Sequence, residues 1–179
     1  MTTYIGLLRA INLGAHNKIK MADLKALLVD LGYRDPKTLL LSGNVVFAAP
    51  AQSPAKLEKA LQDATVKHLG VTTDYFVRSA TEWGGVIAAN PFRAEAKSDP
   101  SHLVMMALKA EPSSAAVKAL QAAIKGREVV KAKGPHAYFV YPDGIGNSKL
   151  TITMIEKMLG TRGTARNWNT VMKLGALTS

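Results

Sequence analysis

The sequence predicts an α+β fold: two tandem copies of one supersecondary pattern, followed by a C-terminal helical tail. Three observations predict it. A chain of 179 residues has room for two small units. Its apolar residues switch between strand-like runs and helical spacing in nearly the same order in both halves. Glycine, proline and small polar residues stand at each switch.

In the first half, Thr3 to Arg9 is a strand by its apolar run, and Met21, Leu24, Leu27, Leu28 and Leu31 fall on one helical face. Gly32 is placed to end that helix and Pro36 blocks its continuation. Lys37 to Leu41 and Val45 to Ala49 then read as a hairpin around Ser42-Gly43-Asn44. Ser53-Pro54 is an N-cap followed by a first-turn proline. Leu57, Ala60, Leu61 and Ala64 supply the buried face of the helix, which Gly70 stops before a strand from Thr72 to Arg78. The order is βαββαβ.

A short helix around Ala80 to Ala89 is broken at Asn90-Pro91, and a linker runs to Pro100. Leu103 to Leu108 is a strand, and Val117, Leu120 and Ile124 mark a helix ending near Gly126. Glu128 to Ala132 and Ala137 to Tyr141 flank Gly134-Pro135, and a helix through Ile152, Ile155 and Leu159 ends at Gly160. The order is βαββα. Two ferredoxin-like subdomains of βαββαβ type are therefore expected, spanning 1–95 and 96–179. The stretch Thr161 to Ser179 is read as a tail outside the repeat, ending in a short helix at Val171, Met172 and Leu174.

With 47% apolar residues the chain is neither disordered nor fibrous. Its longest apolar run, Leu103 to Leu108, is strand-length, far below the roughly 20 residues of a membrane span. Arg9 interrupts the first apolar stretch, and there is no cysteine. A cytoplasmic monomer without membrane contact is expected, and thiol chemistry is excluded.

Lys and Arg number 23 against 13 Asp and Glu, a net +10 that favours anions at the surface. Residues 1–90 carry 10 basic and 7 acidic side chains, and residues 91–179 carry 13 and 6, so the second half is the more anion-attracting. A solubility charge is the alternative reading.

His16, His68, His102 and His136 are scattered without ligand spacing, so neither a metal nor a cofactor is expected. Most acids sit beside lysines on helices, as Asp23 with Lys25 and Glu58 with Lys59, and are read as solvated. No Gly-x-Ser-x-Gly elbow exposes a serine nucleophile. Gly144-Ile145-Gly146-Asn147-Ser148-Lys149 lies between a strand and a helix, where backbone amides can hold a phosphate, although it completes neither a P-loop nor a dinucleotide fingerprint. A tight connection is the alternative.

Gly163 to Thr170 gathers Arg166, Asn167, Trp168 and Asn169, residues suited to pair with phosphate, read a base edge or stack on a ring. The alternative is a structural corner in which Trp168 fills a gap and Asn167 or Asn169 caps the last helix. Arg9 to Gly14 follows the first strand, with Asn17, Lys18 and Lys20 behind it, in a place where ligand loops often sit.

LRAINLG from Leu8, NKIKMADLKALL from Asn17, LSGNVVF from Leu41, NPF from Asn90, GIGNSKL from Gly144 and GTARNWNTVMKL from Gly163 together resemble the DUF1697 family over almost the full length. Ala10 stands where that family usually carries glycine, and Ala15 where a second glycine often follows Gly14. The resemblance implies a bacterial cytoplasmic protein of two ferredoxin-like subdomains, and it implies no activity. Its motif positions are the candidate ligand residues: Arg9, Asn12, Lys18, Ser42 and Asn44 in the first half, Lys149, Arg166, Asn167, Trp168 and Asn169 in the second. Polar and cationic without a nucleophile and base, they favour binding of nucleic acid or a nucleotide. An enzyme acting on a small anionic metabolite and a structural or partner-binding protein are the competing readings.

Overall fold

Alternation along β1 (Thr2–Leu8) puts Tyr4 and Leu8 on one face and Ile5 and Leu7 on the other, and all four are buried. The computed structural model describes residues 1–179. It divides into two compact units, Met1–Gly85 with Lys173–Ser179, and Val86–Met172. The division expected near residue 95 thus falls inside the second unit.

In the first unit, β1 leads to α1 (Met21–Asp30), the hairpin β2 (Arg34–Leu39) and β3 (Asn44–Ala49), then α2 (Pro54–Leu69) and β4 (Tyr75–Ser79). The four strands form one antiparallel sheet in the order β2-β3-β1-β4. Leu24 and Leu28 of α1 and Leu57 and Leu61 of α2 pack into a cluster with Tyr4, Phe47 and Tyr75 from one face of the sheet. Burying each leucine contributes about 1.5–3 kcal/mol. Capping follows the sequence: Ser53 accepts the Lys56 N–H, and Gly70 ends α2 in the left-handed conformation.

The hairpin starts earlier than periodicity suggests, at Arg34 rather than Lys37. Pro36 is tolerated because β2 is an edge strand and its register shifts between Arg34 and Lys37. Gly43 in the turn is required twice over. Its φ is +84°, and a Cβ there would lie 2.7 Å from Ile11 Cδ1 and 2.8 Å from Leu8 Cβ. Glu58 is not solvated: its carboxylate accepts the Val77 N–H at 2.8 Å and lies 3.8 Å from the Arg78 guanidinium.

After β4 come α3 (Ala80–Ala88) and α4 (Arg93–Ser98), the latter occupying the expected linker. The second unit continues with β5 (Leu103–Leu108), α5 (Ser114–Ala123), the hairpin β6 (Val129–Lys133) and β7 (His136–Val140), and α6 (Ile152–Leu159). β8 (Gly163–Asn167) and α7 (Trp168–Ala176) close the chain. The sheet order is β6-β7-β5-β8, antiparallel throughout. The expectation that Thr161 to Ser179 lies outside the repeat is corrected here. Gly163–Asn167 pairs with β5 as the fourth strand, a role its polar residues conceal. β5 is apolar at every position because all six of its residues are buried.

Candidate functional site

Three of the five first-unit candidates join one end of the β1–β3 pair, and they do so as a framework. The Leu8 N–H donates to the Gly43 carbonyl at 2.8 Å, which brings the loop after β1 against the hairpin turn. Asn12 ties the two together. Its Oδ1 accepts the Ile19 N–H at 2.9 Å, and its Nδ2 donates to the Ile19 carbonyl at 3.0 Å and the Leu41 carbonyl at 2.7 Å. Asn44 is fully buried and donates to the Leu39 carbonyl at 2.8 Å and to the Ser42 hydroxyl at 3.1 Å. Arg9 lies 4.0 Å from the Asp74 carboxylate, while its carbonyl accepts the Thr73 hydroxyl at 2.7 Å. Lys18 alone among the five is exposed without a framework contact.

The second-unit candidates separate. Arg166 is 8% exposed, and its Nη1 donates to the Thr164 hydroxyl at 2.9 Å and to the Ala165 carbonyl at 2.8 Å. Burial pushes its guanidinium down to about 10, so it stays charged at neutral pH. Asn167 caps α7: its Oδ1 accepts the Thr170 N–H at 3.0 Å. Trp168 is buried with its ring 6.4 Å from that of Tyr138, and Asn169 is exposed. This segment has the geometry of the structural corner.

Lys149 lies elsewhere, on a cleft of about 470 Å3 within the second unit. The cleft follows from the hairpin. Val129 pairs with Val140, so the segment entering β6 and the segment leaving β7 emerge side by side at the open end. The first brings Lys125 and Glu128, the second Asp143, Asn147 and Lys149, over an apolar wall of Ile124, Leu150 and Met154.

Both carboxylates at the cleft are engaged. Asp143 accepts from the Arg127 guanidinium, whose Nε lies 3.1 Å from Oδ2, and that hydrogen bond holds the carboxyl below its usual range. Glu128 accepts the Ser148 hydroxyl proton, and the Ser148 oxygen in turn accepts the Leu150 N–H at 3.0 Å. Lys125 and Lys149 form no ion pair. Lys149 and Asn147 belong to the Gly144–Lys149 connection that stands out in the sequence, whereas Lys125, Glu128 and Asp143 are not among its candidates. The signal was the charged run Lys125-Gly126-Arg127-Glu128 at the mouth of a hairpin whose other arm leads into that connection.

No curated protein matches the sequence. The fold is similar to that of the conserved bacterial protein SP0830 from Streptococcus pneumoniae, with a TM-score of 0.75, 21% identity and 99% of each chain covered. No helix of the structure is long and apolar enough to cross a membrane. Residues 1–138 match the family of proteins of unknown function DUF1697, and the chain belongs to that family.

Proposed function

We propose that this protein is a cytoplasmic binding protein for a small phosphate-bearing ligand of nucleotide size, held in the second-unit cleft. The strand order of each sheet supports a ferredoxin-like assignment for both units. One observation carries the functional reading: Lys125 and Lys149 line the cleft without an ion-pair partner, while Asp143 is already paired with Arg127. Two free ammonium groups match the two charges of a phosphomonoester. A volume of about 470 Å3 suits a nucleotide or sugar phosphate, and Ile124, Leu150 and Met154 offer an apolar wall to its uncharged part.

Calorimetric titration with inorganic phosphate, ribose 5-phosphate and adenosine 5′-monophosphate tests this. Saturable binding is expected, weakened about fivefold to tenfold by Lys149→Ala or Lys125→Ala and further by added salt. Binding that both variants leave unchanged defeats the cleft reading. The net charge of +10 motivates nucleic acid as the second reading. It prevails if an oligonucleotide binds with steep salt dependence and the small phosphates do not.

A further inference from the structure

Glu128 is an unusual neighbour for two unpaired lysines in a cleft meant for phosphate, because a carboxylate repels a phosphate. Its placement is nevertheless built in. Gln121 of α5 clamps the start of β6, its Oε1 accepting the Val130 N–H at 2.8 Å and its Nε2 donating to the Glu128 carbonyl at 3.2 Å. The Leu150 amide occupies one lone pair of Ser148, which directs the hydroxyl proton to Glu128 Oε1. The other oxygen, Oε2, folds back over Gly126 so closely that a Cβ there would clash with it. Glycine at 126 is thus what lets the carboxylate lie where it does.

A carboxylate has about four acceptor positions, and the Ser148 hydroxyl takes one. No cation lies within ion-pair distance of Glu128: the adjacent Arg127 feels its charge but is bonded to Asp143. A fixed carboxylate with spare acceptor capacity, beside lysines that take the phosphate, suits a ligand that brings hydrogen-bond donors as well as charge. We infer that the cleft takes a polyhydroxylated phosphate, such as a sugar phosphate or the ribose phosphate of a nucleotide, and that Glu128 is the specificity residue accepting hydrogen bonds from its hydroxyl groups. Carboxylates recognise ribose hydroxyls in the same way in dinucleotide sites. This inference rests on the reading of the cleft as a phosphate site.

The test compares ribose 5-phosphate with methyl phosphate, which has the same charge and no hydroxyl donors, in the intact protein and in Glu128→Gln and Gly126→Ala. Ribose 5-phosphate is expected to bind about tenfold more tightly than methyl phosphate to the unaltered protein. Glu128→Gln should abolish that preference while methyl phosphate binds as well or better, because the repulsive charge is gone. Gly126→Ala should lower the preference in the same direction by displacing the carboxylate, with circular dichroism confirming the fold. A preference that survives Glu128→Gln overturns the inference and leaves the phosphate reading standing. If neither phosphate binds, or if Lys125→Ala and Lys149→Ala leave methyl phosphate binding unchanged, the phosphate reading falls and the inference with it.

Discussion

Arg78 and Arg166 occupy the same position in the two sheets: Arg78 is opposite Ile5 of the first strand in its unit, and Arg166 is opposite Met105 of the first strand in its own. Each is buried, and each donates from Nη1 to the carbonyl of the preceding residue at 2.8 Å. Burial lowers both guanidinium pKa values, with the Glu58 carboxylate partly offsetting this at Arg78. The internal repeat, invisible as aligned residues, is plain in this register.

Arg166→Ala should cost about 2–4 kcal/mol, because it leaves the Thr164 hydroxyl and Ala165 carbonyl without a charged donor in a buried place. Lys149→Ala should change stability by under about 0.5 kcal/mol. Urea denaturation of the two variants measures both. A loss below about 1 kcal/mol for Arg166→Ala would mean that this residue is not a structural tie.

Leu27 is 3% exposed under α1 and Leu41 is 70% exposed in the hairpin turn. Replacing Leu27 by alanine should cost about 2–5 kcal/mol through the cavity it opens, and replacing Leu41 about 0.5 kcal/mol or less. Thermal melts give the comparison, and similar losses would contradict this burial pattern.

Ala10 has a φ of +53°, in the left-handed region that favours glycine. Its position is the one where the family resemblance expects glycine. Ala10→Gly should therefore stabilise by about 0.5–1 kcal/mol, relief of strain exceeding the extra chain entropy. Destabilisation in a chemical melt would show that the loop relaxes in solution.

Burial pushes the Tyr75, Tyr138 and Tyr141 hydroxyls up to about 12. The unfolded chain ionises these phenols near pH 10, so the folded state holds more protons above that pH. Their stabilisation is complete below pH 10 and is lost as pH rises through about 12. Tyr75 alone contributes roughly 2–3 kcal/mol to this loss. Arg166 acts in the opposite sense, since its folded-state value of about 10 is below the unfolded one. Arg78, whose guanidinium is also lowered by burial, acts in the same direction as Arg166, and three tyrosines against these two arginines predict net alkaline unfolding in this window. The absorbance of three of the five phenols should rise together with the loss of circular dichroism, and ionisation of more than two tyrosines near pH 10 in a chain that stays folded would refute it.

Trp168 is 5% exposed beside Tyr138. With Trp83 replaced by phenylalanine, its emission should be blue-shifted, and ribose 5-phosphate should leave it nearly unchanged. A red emission maximum, or a saturable shift on titration, would return the ligand to the Arg166–Asn169 corner.

Much of the fold was legible because it rests on local signals. Helices announced themselves by apolar spacing and by caps such as Ser53, Gly70 and Gly160, all of which act within a few residues. β8 was not legible, because Gly163-Thr164-Ala165-Arg166-Asn167 has no strand pattern of its own and becomes a strand only by pairing with β5. The site was less legible still. Of the ten candidates, Asn12, Asn44, Arg166, Asn167 and Trp168 hold structural contacts, and Lys149 alone lines the cleft.

By itself the sequence determined the α+β class, the near-repeated element order, the basic charge and the family, since periodicity, turn chemistry and motif order are properties of neighbours along the chain. Only the tertiary structure decided that Arg166 is buried, that Glu58 meets Arg78, and that Lys125, Glu128 and Lys149 share one cleft. Those facts depend on which distant segments the strand register brings together, and a polar side chain carries no local mark of whether it will face water, a carbonyl or a ligand.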